Sequence, residues 1–86
     1  MDTETIKNAI VKNVYYIDSG KNIAMHKHNK HDEIFYCMKG SGFGVLEGGD
    51  VPLSLGKAFI VPAGTMHSLK TDEEMTVASF LIPLVE

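Results

Sequence analysis

Apolar residues fall into short runs along most of this chain, and clusters of turn-forming residues separate them at intervals of about 8–12 residues. The separators are Asp18-Ser19-Gly20, Asn29-Lys30, Lys39-Gly40-Ser41-Gly42, Glu47-Gly48-Gly49-Asp50, Leu55-Gly56-Lys57, Pro62-Ala63-Gly64-Thr65 and Thr71-Asp72-Glu73-Glu74. Glycine, proline, asparagine and aspartate punctuate a chain because they accept positive φ, fix φ, or satisfy backbone groups locally. Between them the pattern predicts strands near residues 22–28, 33–39, 43–46, 51–55, 58–61, 67–70 and 75–82. That is the signature of an all-β sandwich or barrel with little helix. The first stretch reads two ways: Ile6, Ile10 and Val14 recur as on a helix, whereas Val14-Tyr15-Tyr16-Ile17 reads as a strand. No linker, repeat or low-complexity segment interrupts residues 1–86, which are read as one domain.

Side chains alternate faces along a strand, so Glu33, Phe35 and Cys37 share one face and Ile34, Tyr36 and Met38 the other. Both faces are largely apolar, whereas a sheet with one wet face alternates apolar and polar residues. Leu81-Ile82-Pro83-Leu84-Val85 is also too apolar for a free tail. A homodimer that buries these residues across a twofold contact is expected. The alternative is that the first 13 residues fold back over the outer face.

Composition narrows the functional classes. With 86 residues there is room for one modest core. A net charge of -3 and eight scattered basic residues argue against nucleic acid, which is held by clustered Lys and Arg. A single cysteine, Cys37, excludes an intrachain disulfide and fits a reducing compartment, so the cytoplasm is the default. Asp2 and Glu4 stand where a signal peptide would be basic, and no apolar run nears the roughly 20 residues that span a bilayer. Neither export by that route nor membrane insertion is expected.

The chemistry lies in four residues. On a strand, His26 and His28 point to the same side and offer two imidazoles to one point. Glu33 opens the next run, where an antiparallel neighbour brings a carboxylate back beside them. His67 joins if the turn Pro62-Ala63-Gly64-Thr65-Met66 delivers its strand across the same cavity. Asp32 competes with Glu33 but faces the other way once the strand has begun. His31 is either a solvated side chain or a base at the cavity mouth.

Read in order, the chain gives Gly20, five residues, His26, one, His28, four, Glu33, six, Gly40; then, after fifteen, Gly56, five, Pro62, one, Gly64, two, His67. This resembles the two sequence motifs of the cupin superfamily at nine defining positions, with motif 1 at residues 20–40 and motif 2 at 56–71. One departure is Thr71, where the second motif usually ends in asparagine. The resemblance implies a double-stranded β-helix, or jelly-roll barrel, holding one divalent metal ion through His26, His28, Glu33 and His67. Such a donor set suits Fe, Mn, Ni, Co or Zn and disfavours Mg and Ca.

Cupins include dioxygenases, decarboxylases, isomerases and lyases as well as non-catalytic ligand-binding regulators, and the fold does not choose among them. The resemblance points to a small-molecule substrate or ligand bound at open coordination positions. Phe35, Cys37, Met66, Leu69 and Phe80 are the expected pocket-lining residues, which suit an apolar or aromatic ligand.

Overall fold

The computed structural model describes residues 2–85. Among them are one helix, α1 (Thr3–Ala9), and six strands: β1 (Val11–Asp18), β2 (His31–Leu46), β3 (Gly49–Ser54), β4 (Ala58–Val61), β5 (His67–Lys70) and β6 (Glu74–Pro83). All strand pairs are antiparallel. The architecture is the jelly-roll barrel expected from the sequence.

The ambiguous first stretch divides in two. Asp2 caps α1 by accepting the Thr5 N–H at 2.8 Å, and Glu4 and Lys7 sit at the helix ends whose dipole they complement. Ile10 ends the helix with extended backbone, so the four-residue spacing of Ile6, Ile10 and Val14 crosses helix, cap and strand. No residue of α1 is buried.

Two expected elements are corrected. Residues 33–39 and 43–46 are not separate strands but parts of one, the 16-residue β2. What reads as a turn at Lys39-Gly40-Ser41-Gly42 is a bulge at Cys37/Lys39 followed by Gly40 at φ +78°. A Cβ at Gly40 would collide with the carbonyl oxygen of Glu74, so glycine allows both the backbone angle and the close approach of β6. The kink lets β2 serve two layers: its first half pairs with β6 and β4, its second with β3 and β5.

The expected strand at 22–28 is the second correction. This segment is extended but makes only one ladder contact, a bridge in which His26 and His67 exchange N–H···O bonds of 3.0 and 2.8 Å. Other groups capture its carbonyls: the Ser68 hydroxyl donates to Ile23 O and the Gly64 N–H to His28 O, each at 2.8 Å.

Ile17, Phe35, Cys37, Leu53, Phe59, Val61, Leu69, Met75 and Val77 form the core. Burying each large member contributes about 1.5–3 kcal/mol. Phe35 and Phe59 stack with centroids 6.0 Å apart, and Gly44 lies against the Phe59 ring. The outer face of β1, β6, β2 and β4 carries Val14, Phe80, Ile34, Tyr36 and Ile60 in adjoining rows. Val14 is 65% exposed and Ile60 64%, so α1 does not cover this face. Among the described residues no helix is long and apolar enough to cross a membrane.

Thr71, which stands where the second motif usually has asparagine, braces a turn. Its hydroxyl donates to Ser41 O at 2.6 Å and accepts the Glu73 N–H at 3.1 Å, which ties the β5–β6 turn to β2.

A methyl group at Gly44 would collide with the ring of Phe59. Gly44→Ala is therefore expected to lower stability by about 1–3 kcal/mol, as overpacking does. Gly48→Ala, with nothing within 4 Å of the added carbon, should change it by less. Paired thermal unfolding curves check this.

Candidate metal centre

Three elements deliver the four candidate ligands to one point. The extended segment before β2 brings His26 and His28, β2 brings Glu33 three residues into the strand, and His67 opens β5. The sharp corner before β5 aims His67: Gly64 takes φ +84°, and the Asp32 carboxylate accepts the Ala63 N–H at 2.8 Å. Asp32 thus faces away from the cluster and anchors the turn. One ligand atom from each of His26, His28, Glu33 and His67 lies within 4.8 Å of every other. The ring centroids are 4.4 Å apart for His26 and His67, 5.2 Å for His26 and His28, and 5.5 Å for His28 and His67.

Burial is uneven. His67 is 0% and Glu33 4% exposed, whereas His26 is exposed and His28 only partly covered. The cluster is closed towards the core and open on the side of residues 26–28.

Backbone carbonyls fix two of the imidazole tautomers. His26 donates its Nδ1–H to Ala24 O at 2.9 Å and His67 donates its Nδ1–H to Thr65 O at 2.8 Å. A carbonyl oxygen only accepts, so the hydrogen of each neutral ring is on Nδ1 and the lone pair on Nε2. Yet His67 Nε2 lies 3.0 Å from Glu33 Oε1, and His28 Nε2 lies 3.1 Å from the same oxygen. A neutral His67 sets acceptor against acceptor at that distance, a conflict that either a proton on Nε2 or a cation shared by the two atoms relieves. One divalent ion removes the conflict, and histidines that donate the other N–H to a carbonyl are the usual form of imidazole ligands. The residues present therefore fit a metal ion.

A cavity of about 250 Å³ opens beside the cluster. Phe35 and Leu69 border it, with Tyr15, Ile17, Ile23 and Leu81, and Lys21 contributes a cation. The remaining three residues expected there do not border it. Cys37 has the inward parity but lies at 0% exposure in the closed core, its thiol facing the carbonyls of Lys39 and Gly40 at 3.5 Å. Met66 has the opposite parity to His67. Phe80 sits on the outer face, because the inward positions of β6 are Met75, Val77, Ser79 and Leu81. His31 pairs with Pro83 at the start of β2 and is not one of the clustered donors.

Sequence reasoning missed the β1 wall and Ser79. The signal for the wall was the strand reading of Val14-Tyr15-Tyr16-Ile17, whose odd positions face inward. The signal for Ser79 was a hydroxyl in an otherwise apolar inward row. Tyr16 borders the cavity too, but its hydroxyl donates to Glu74 at 2.7 Å, which holds the phenol above its ordinary pKa.

The sequence profile of the cupin domain matches residues 13–82. The chain belongs to the cupin family. It is 35% identical over 65 residues to quercetin 2,3-dioxygenase of Bacillus subtilis, covering 74% of this chain and 19% of that protein. It is 31% identical over 67 residues to an oxalate-binding protein of Thermotoga maritima, covering 73% of this chain and 55% of that one. In fold it is similar to the crystal structure of a predicted oxalate decarboxylase from Thermotoga maritima, with a TM-score of 0.81 and 24% identity over 98% of this chain and 76% of that one. The chain thus spans a fifth to just over half the length of the two curated relatives.

Losing one ligand removes a direct bond and leaves a buried charge or lone pair unbalanced. His28→Ala and His67→Ala are expected to weaken metal binding by more than the roughly 10–100-fold typical of losing an outer partner, with His31→Ala near wild type. Metal content measured after equilibration at one free-metal concentration checks this, and equal occupancy in all three variants would sink the ligand assignment.

Proposed function

We propose that this cupin is a metal-dependent enzyme acting on a small organic molecule that reaches the metal through the open side of the cluster. One divalent transition-metal ion, Fe, Mn, Ni, Co or Zn, is held by Nε2 of His26 and His67, by His28 and by the Glu33 carboxylate. The observation that carries this reading is the 3.0 Å approach of His67 Nε2 to Glu33 Oε1, with the ring's only neutral-state hydrogen committed to Thr65. Bound there, the ion supplies Lewis acidity or activation of O₂. Ala24 and Thr65 hold the rings in the ligating tautomer. Phe35, Leu69, Ile17, Ile23 and Leu81 exclude water and favour an apolar or aromatic body on the ligand.

Helper groups are few. Apart from the four ligands, the ionisable residues bordering the cavity are Lys21, Tyr15 and Tyr16, and the hydroxyl of Tyr16 is engaged with Glu74. The reaction is therefore metal-centred, with Lys21 available to a negatively charged group. An oxygenase, decarboxylase, isomerase or lyase chemistry fits that description. The second reading is a non-catalytic binding or sensor module, favoured by the same scarcity of acids and bases and by the name of the oxalate-binding relative. Turnover by metal-loaded protein separates the two.

Elemental analysis of protein purified without added metal is expected to find a transition metal bound in proportion to protein, lost on treatment with a chelator and restored by one ion per chain. Protein that neither carries such a metal nor takes one up in titration would overturn the proposal.

The outer apolar face motivates a second part of the proposal, a homodimer. Val14, Phe80, Ile34, Tyr36 and Ile60 form one patch across four strands, and a patch that meets its own copy about a twofold axis covers itself. Light scattering at micromolar concentration should give twice the mass of the 9.4 kDa chain, whereas the mass of one chain would refute the dimer.

A further inference from the structure

Ser79 is the one polar residue among the inward positions of β6, between Val77 and Leu81, and it is 1% exposed. A hydroxyl buried in such a row is costly unless it is bonded. Its hydrogen goes to Glu33 Oε2, at 2.5 Å, while Oε1 of the same carboxylate faces the Nε2 atoms of His67 and His28. The two oxygens of Glu33 thus have separate partners. Ser79 is held in place: it lies opposite Asn13 of β1 on one side and Phe35 of β2 on the other, so β6 is held along both edges.

We propose that Ser79 is a positioning residue that commits Glu33 to ligate the metal through Oε1 alone. This rests on the reading of Glu33 as a ligand given above. A carboxylate binds a metal through one oxygen or two, and the choice depends on what else holds the second oxygen. Turning Oε2 towards the ion would break a charge-assisted hydrogen bond in a place closed to water and leave the Ser79 hydroxyl without its acceptor. With three imidazoles and one oxygen, an ion that takes six donors keeps two positions open, whereas a two-oxygen Glu33 leaves one. Ser79 therefore sets whether a ligand can bind through two of its own atoms or only one.

Manganese(II) as the bound ion gives a direct reading, because the relaxation of water protons counts the waters exchanging at its open positions. The wild-type protein is expected to give the relaxivity of two such waters. Ser79→Ala should bind manganese yet lose about half of that relaxivity, and Ser79→Thr, which keeps the hydroxyl, should restore it. A merely structural serine would move the unfolding temperature of Ser79→Ala without this loss. Equal relaxivity in wild type and Ser79→Ala overturns the inference. So does a wild-type value of one water, which requires no variant to fold. If the wild type binds no manganese or other transition metal, the reading of the site falls, and the role of Ser79 falls with it.

Discussion

A carboxylate at Glu33, 4% exposed, is the constraint on which the rest of this structure depends. An isolated charge in such a place would cost many kcal/mol, so the fold has to bring compensating groups to both oxygens. Strand β6 supplies the hydroxyl of Ser79, β5 supplies His67, and the segment before β2 supplies His28. These come from three separated parts of the sequence. Their meeting at one carboxylate requires the closed barrel, and the barrel requires β2 to reach both of its layers.

The floor under this point is built as tightly as the point itself. Phe35 stacks on Phe59 and also lies 5.9 Å, centroid to centroid, from His67. Gly44 gives the Phe59 ring its room. Aromatic contacts and one absent side chain thus fix the height of the buried imidazole, in the way that tightly packed interiors transmit small displacements.

Much of this was legible in the sequence, for identifiable reasons. Alternation along Glu33, Phe35 and Cys37 gave the inward face of β2 correctly because a two-residue period survives wherever a strand is regular. Strand parity places His26 and His28 side by side, and the resemblance to the two cupin motifs completes the set with Glu33 and His67. What failed was whatever depends on partners distant in the chain. Lys39-Gly40-Ser41-Gly42 has the composition of a turn, and only the close approach of Glu74 from β6 makes it a kink within a strand. Residues 22–28 have a strand's pattern, but side-chain and loop bonds from Ser68 and Gly64 take the carbonyls that a ladder would use. Phe80 reads as a pocket residue because it is apolar, whereas the register with β2 and β1 turns it outward. Ser79 stands out in the sequence only as a hydroxyl in an apolar inward row, and what it does depends on the carboxylate it meets from β2.

The topology also has a consequence for the order of synthesis. Every ladder partner of β2 lies later in the chain than β2 itself, and β1 pairs only with β6. As the chain leaves the ribosome, β3 can fold back at once through the two-residue turn Glu47-Gly48, but it covers only the second half of β2. The first half, which carries Glu33, has an open edge until β4 emerges and a second one until β6 does. His26 and His28 are likewise made well before His67. A nascent chain therefore displays its apolar strand and an incomplete set of donors together, and β5 completes the donors before β6, ending at Pro83, closes the strand.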